Sequence, residues 1–178
     1  SSPLDFSFSS DGTNLSDYTI YGNTGGVGVS KNLFDKDNAD IVELFPNSSS
    51  GVVTASGDHT AHSLVIPLSA GKYTFSIYHP TNALVRNRLR VACYASYPQV
   101  GDSPLYMLDR NVRDGDIVYN TFAAPPNTAY VMIFLWSGSD YTVSVINDIV
   151  ANNNIMLEYG FEHSTYAAYN SRYCIPVV

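Results

Sequence analysis

Basic residues are scarce in this chain of 178 residues, which holds nine Lys and Arg against sixteen Asp and Glu and carries a net charge of −7. Nucleic acids and anionic lipid surfaces both attract clusters of basic side chains, so this balance disfavours them as partners. Long hydrophobic runs are missing too. The longest, "AYVMIFLW" at 129–136, has the length of a strand and is far too short to cross a bilayer. We therefore expect no nucleic-acid binding and no membrane insertion.

Cysteine is almost absent. Cys93 and Cys174 form no CxxC motif, and the rest of the chain offers no disulfide framework. We expect both to be free, buried thiols, because unpaired cysteine is among the most buried residue types. A disulfide between them is left open at this point.

Helical periodicity is also lacking, and "NADIVELF" at 38–45 is the best helix candidate, of two turns at most. Strand patterns dominate instead: Tyr73, Phe75 and Ile77 alternate with polar residues, and "RLRVACYAS" at 88–96 alternates in the same way. The pattern predicts an all-β antiparallel β-sandwich of jelly-roll type. We interpret 1–178 as a single domain excised from a larger protein, with a loop-rich entry segment at 1–50 and a sandwich core at 51–178. The predicted core strands are 51–56, 62–68, 72–79, 88–96, 116–122, 128–136, 141–148 and 154–160.

Glycines cluster in "YGNTGGVGVSKNLFD" at 21–35, which raises the question of a phosphate-binding loop. A P-loop needs a lysine followed by Ser or Thr, but Lys31 precedes Asn32. A dinucleotide loop needs a third glycine where Lys31 stands, and no βαβ pattern follows. We therefore predict that Gly22, Gly25, Gly26 and Gly28 provide backbone conformations for a tight connection.

Candidate metal ligands are few and poorly spaced. His59 and His62, beside Asp58, would point to opposite faces of an extended segment. The acidic stretches at 35–40 and 109–116 lack the register of an EF-hand loop and are interpreted as solvated turns. We predict no metal and no cofactor. A structural Ca²⁺ held partly by backbone carbonyls is left open, because such ligands are not readable from sequence.

Motifs for catalysis are missing as well. The chain has no GxSxG, neither cysteine has an activating context, and the carboxylates show no local signature of a glycosidase pair. Such pairs are assembled in space, so a wall-polymer hydrolase stays as a third hypothesis, with two carboxyls facing each other across a cleft. We predict that the protein is not an enzyme.

Aromatic and arginine side chains remain as the candidate binding groups. If Leu89, Val91 and Cys93 face the core, their neighbours on the same strand face outward. Flat rings stack on the C–H faces of sugars, and arginine donates hydrogen bonds to hydroxyls. The predicted carbohydrate-binding residues are Tyr78, Arg88, Arg90, Tyr94 and Trp136.

Several motifs in order resemble one family. They are "PLDFSFSSDGTNLSDYTIYGNTGGVG" followed by "KNLFD", "HSLVIPLSAGKYTFSI", "RVACYAS", "TFAAPPNTAYVMIFL" and "IMLEYGFEHSTYAAYN" followed by "YCIPV". Together they resemble β-sandwich modules, similar to carbohydrate-binding modules, of tail, baseplate and fibre proteins from phages and prophages of Gram-positive bacteria. The chain departs from the pattern at Phe161-Glu162-His163, where smaller polar residues are expected.

The resemblance implies a non-catalytic adhesion module on a virion tail, extracellular when it acts. Its partners would be a bacterial cell-surface saccharide and other tail or fibre proteins, with homo-oligomer formation left open. The alternative is a structural assembly or spacer module that binds no glycan. The family supplies no invariant sugar-contacting residue, so the five candidates rest on the strand pattern alone.

Overall fold

A computed structural model of the chain describes residues 18–20, 28–56, 62–78, 88–109, 112–115, 117–136, 150–151 and 154–169. Within these ranges nearly all regular structure is β. The strands are β1 (Tyr18–Ile20), β2 (Gly28–Ser30), β3 (Asp40–Val42), β4 (Leu44–Pro46), β5 (Val53–Ala55), β6 (Ser63–Pro67), β7 (Gly71–Tyr78), β8 (Arg88–Tyr94), β9 (Tyr106–Asp109), β10 (Val112–Asp114), β11 (Ile117–Ala124), β12 (Tyr130–Trp136) and β13 (Asn154–Tyr159). A single 3₁₀ turn is described at Lys36–Asn38.

The strands form two larger sheets and two hairpins, and every described pairing is antiparallel. One sheet has the order β10-β11-β7-β13 and the other the order β3-β6-β12-β8-β9, while β1-β2 and β4-β5 are two-stranded. The all-β, antiparallel prediction is thus confirmed.

Both larger sheets contribute to one hydrophobic cluster. Alternate residues of β7 and of β8 belong to it, as their period-two patterns predict. Phe34 joins the cluster from the segment before β3, with its ring edge-on to Phe75 at 6.3 Å. The core therefore includes residues that precede position 51, where the sequence interpretation placed its start.

A second, smaller cluster lies on the other face of the five-stranded sheet. It contains Val53, Val65, Ala92, Tyr94 and Met132. The β4–β5 hairpin covers this face: Phe45 packs against Phe134 at 5.8 Å, and the Ser63 hydroxyl donates to the Leu44 carbonyl at 2.8 Å. The five-stranded sheet is therefore apolar on both faces at its centre.

The segment 160–169 covers part of the outer face of the four-stranded sheet. The Thr74 hydroxyl donates to the Gly160 carbonyl at 3.0 Å, and the Gly160 amide donates to the Lys72 carbonyl at 2.9 Å. Tyr78, further along β7, donates from its hydroxyl to the carbonyl of Ser164. The polar outer residues of β7, Thr74 and Ser76, are consequently buried.

Most of the predicted strands agree with the structure, but the sequence patterns do not predict β9 or β10. The strand β10 lies within 109–116, so the interpretation of that stretch as a solvated turn is wrong there. The segment 38–45, the best helix candidate in the sequence, contributes the residues of β3 and most of β4 instead. Its apolar residues are too few to distinguish the two periods, and pairing with β6 decides the outcome. The predicted strand at 141–148 lies outside the described residues.

Candidate functional site

Tyr94, one of the five predicted sugar-binding residues, lies inside the second cluster. Only 2% of its surface is exposed, and its hydroxyl donates to the Gly51 carbonyl at 2.8 Å. Burial raises the pKa of this hydroxyl. The expectation of an exposed Tyr94 is wrong, because the β4–β5 hairpin covers the face to which the alternation correctly assigns it.

Arg90 is buried under the same hairpin. One guanidinium nitrogen donates to the Pro46 carbonyl at 2.7 Å, and another donates to the Asp109 carboxylate at 3.0 Å. The guanidinium also lies over the Phe134 ring, 5.2 Å from its centroid. Arg90 thus joins β8, β9 and the hairpin, and the expectation that it is open to a ligand is wrong.

Tyr78 belongs to the other sheet, so the five candidates do not share one surface. It is 5% exposed, and its ring lies 5.6 Å from that of Tyr166. Burial, with a smaller contribution from the charge of Glu158, raises the pKa of Tyr78 to about 12. Arg88 and Trp136 are partners in the β8–β12 register, but their side chains lie outside the described residues. Sugar contact by the five residues stays a prediction.

A cleft of about 130 Å³ opens elsewhere, between the segment before β3 and the C-terminal part of the described chain. Its apolar floor is made by Phe34, Val150 and Ile155, all buried. Tyr166, Ala168 and Tyr169 form one wall, and Asp35, Lys36 and Asp37 form the other. This is the candidate functional site.

Asn32 holds the two walls of the cleft together. Its side-chain nitrogen donates to the carbonyls of Ile155 at 2.9 Å and Ala167 at 3.0 Å. Its side-chain oxygen accepts from the amides of Phe34 at 2.9 Å and Leu157 at 3.1 Å. These four bonds use the full donor capacity of a buried amide and both lone pairs of its oxygen.

The charged wall is shaped by a 3₁₀ turn. The Asp35 carboxylate accepts from the Asp37 amide at 3.0 Å, the contact by which aspartate caps the start of a turn. The sequence interpretation of 35–40 as a turn is therefore correct for its first part. The sequence does not predict that this turn lies beside a cleft, because the opposite wall comes from residues more than a hundred positions away.

Hydrogen bonds hold the segment that carries the tyrosine wall against the rest of the fold. Glu158 is buried and accepts hydrogen bonds from both the amide and the hydroxyl of Ser164, the first at 3.0 Å. At the next residue, the Lys31 ammonium donates to the Thr165 carbonyl at 2.9 Å. These contacts place Tyr166, whose pKa burial raises, as a neutral ring beside the cleft.

The cleft suits recognition of a small polar ligand with an apolar face. Two tyrosine rings and an apolar floor can contact C–H groups, while two carboxylates accept hydrogen bonds and one ammonium donates them. Its volume is well below the roughly 300–1,000 Å³ of sites that enclose drug-sized ligands. It would therefore hold one small unit of a larger molecule.

Among the described residues that line the cleft, the carboxyl groups lie on one side only. Asp35 and Asp37 both line it, but they belong to one turn and so lie on the same wall. A glycosidase pair flanks the scissile bond from two sides.

His62 is the described residue of the predicted histidine pair, since His59 and Asp58 lie outside the described ranges. It is 1% exposed, and its Nε2 lies 3.9 Å from a carboxylate oxygen of the exposed Glu43. Neither ring nitrogen has a hydrogen-bond partner in the described structure. Three or more metal-binding side chains do not come together anywhere in the described ranges.

The glycine-rich loop at 21–27 lies outside the described residues, while Gly28 pairs with Ile20 in the β1–β2 hairpin. Cys93 is a free, buried thiol, and burial raises its pKa to about 12. None of the described helical segments is long and apolar enough to span a membrane.

Comparisons of the chain with protein-family models, with curated proteins and with solved structures find no match.

Proposed function

We propose that this chain is a non-catalytic carbohydrate-binding module that recognises a bacterial cell-surface saccharide. The observation that carries the proposal is the cleft between the Asp35–Asp37 turn and the Tyr166–Tyr169 wall. Sugar sites combine flat aromatic rings with a few planar hydrogen-bonding groups, and both are present here. A shallow site for one sugar unit gives weak single-site affinity, which many copies on one particle would raise by avidity.

The motif order supports a setting for this activity. A phage or prophage tail-associated protein, displayed outside the cell on the virion, presents binding modules in many copies and contacts other tail or fibre proteins. The shared hydrophobic cluster of the two larger sheets supports the finer fold assignment, an antiparallel β-sandwich of jelly-roll type.

The test uses the purified chain coupled to beads at high density, so that weak sites are detected. Beads are exposed to immobilised saccharides and to cell walls of Gram-positive bacteria, and bound material is competed with free sugar. The proposal is supported if the beads bind one saccharide class and if the free sugar of that class abolishes this binding. Absence of binding from fully loaded beads contradicts it.

A structural assembly or spacer module is the second candidate, favoured by one specific observation. The loop between β8 and β9 exposes Val100 at 62% and Leu105 at 45% of their surfaces, with Tyr97 beside them on the same loop. Exposed apolar side chains that form a contiguous patch are typical of surfaces that contact another protein.

Light scattering across a concentration series tests the second candidate. A chain that associates through this loop should dissociate when Val100 and Leu105 are both changed to Ser. Absence of binding in the saccharide assay, together with this dissociation, would favour the assembly function. A concentration-independent monomer would count against self-assembly through the loop.

A further inference from the structure

We propose that the cleft accepts an uncharged or amino-bearing saccharide unit and discriminates against one that carries a phosphate or a carboxylate. This inference rests on the proposed carbohydrate-binding function and adds the class of sugar to it. The observation behind it is the sign of the charges that line the cleft.

Two carboxylates and one ammonium line the charged wall. Asp37 and Lys36 are exposed, and Asp35 is half-buried. The rest of the lining carries no formal charge at neutral pH: Tyr166 and Tyr169 are phenols, and the floor is apolar. The wall is therefore net negative, in a chain whose overall charge is −7.

The other basic side chains that the structure describes do not belong to the lining of the cleft. Lys31 donates to the Thr165 carbonyl, and Lys72 lies over the Phe161 ring at 5.2 Å. Arg90 is buried against Asp109. Among the basic side chains that the structure describes, Lys36 alone lines the cleft.

The chemistry of recognition follows from these charges. Carboxylates accept hydrogen bonds from sugar hydroxyls or from an ammonium group, and Lys36 can donate to a ring or hydroxyl oxygen. A phosphate or carboxylate on the sugar would meet one donor and two like charges. A like charge about 4 Å away in a solvated site lowers affinity by about fivefold, so the discrimination should be measurable but screened by salt.

The experiment uses bead-bound chain and matched pairs of immobilised disaccharides. Each pair holds a hexose or N-acetylhexosamine disaccharide and the same disaccharide carrying a 6-phosphate. Wild type is compared with Asp37→Asn, which removes one cleft charge without altering size, and with Lys36→Gln. Glu162→Gln is the control, because Glu162 is exposed and outside the cleft lining yet carries the same charge.

For wild type we expect at least one neutral disaccharide to bind about fivefold or more tightly than its phosphorylated partner. The ratio of the affinity for the neutral disaccharide to that for its phosphorylated partner should fall about fivefold in Asp37→Asn. It should rise in Lys36→Gln and stay nearly unchanged in Glu162→Gln. Raising the salt concentration should narrow it in wild type.

Two outcomes would overturn the inference, but only the second would also overturn the proposed carbohydrate-binding function. Equal or tighter binding of the phosphorylated member by wild type refutes the charge selectivity and leaves carbohydrate binding standing. If well-loaded beads bind neither a disaccharide nor a cell wall, the proposed function is refuted, and the charge selectivity is refuted with it.

Discussion

The side-chain nitrogen of Asn32 donates a hydrogen bond of 3.0 Å to the carbonyl oxygen of Ala167, which lies 135 positions further along the chain. The same amide also bonds Ile155, Phe34 and Leu157. One buried side chain thus fixes the two walls of the candidate site relative to each other.

Asn32→Ala should lower the free energy of unfolding by about 3 kcal/mol, because it leaves several buried backbone groups without partners at about 1–3 kcal/mol each. Urea denaturation monitored by tyrosine fluorescence measures the change. Asn154→Ala, at an exposed position of β13, is the control and should shift stability by no more than about 0.5 kcal/mol. Equal effects of the two substitutions would contradict the role assigned to Asn32.

Gly51→Ala should destabilise the fold more than Gly101→Ala. Both glycines have positive φ, +70° and +94°, so each alanine meets backbone strain of about 1 kcal/mol. A Cβ at Gly51 would also lie 2.5 Å from Cγ of Pro104, whereas at Gly101 no described atom lies within 4 Å. We expect a further loss of about 1–3 kcal/mol at Gly51. Thermal unfolding of both variants would show similar midpoints if the contact with Pro104 could relax freely.

Tyr169→Ala should weaken saccharide binding about threefold to tenfold, because an aromatic contact contributes about 0.5–1.5 kcal/mol beyond its buried area. The measurement is the bead assay with the saccharide that wild type binds. Phe161→Ala is the matched control, since Phe161 is an exposed aromatic residue outside the cleft. Arg88→Ala and Trp136→Ala belong in the same series and test the strand-based prediction. A loss of binding confined to those two variants would move the site to the start of β8 and the end of β12.

Alkaline pH should destabilise the protein through Tyr78. Its pKa rises from 10.0 to about 12 on folding, so the folded state holds the phenolic proton more tightly. The stabilisation is complete well below pH 10 and is lost as the pH rises through about 12, by up to about 3 kcal/mol. The difference in unfolding free energy between wild type and Tyr78→Phe should therefore shrink between these pH values. A constant difference from pH 9 to 12 would show that Tyr78 titrates alike in both states.

Local pattern accounts for the part of the fold that sequence could predict. The alternation in β7 and β8 identifies which residues face the shared core, and the structure agrees at Phe75 and Val91. Alternation does not say what covers the other face. The burial of Arg90 and Tyr94 depends on a hairpin whose residues lie about forty positions earlier.

The candidate site was harder to predict than the strands. The acidic stretch at 35–40 and the tyrosines at 166 and 169 have no binding signature of their own, and contacts such as those of Asn32 bring them together only in the folded chain. Strands that are neighbours in sequence need not be neighbours in space: β7 and β8 belong to different sheets, so the predicted residues on β7, β8 and β12 do not share one surface.

The edge strands of the two larger sheets affect whether neighbouring copies of this chain can pair with each other. An unprotected outer strand invites the same strand of another molecule to add to it, which leads to aggregation. Here β3, β9 and β10 have only three or four residues each. The outer strand β13 is longer, but its Leu157 already bonds the Leu33 amide and the Asn32 side chain. Among the strands that the structure describes, none at a sheet margin is both long and unprotected, so closely spaced copies are not expected to pair through these strands.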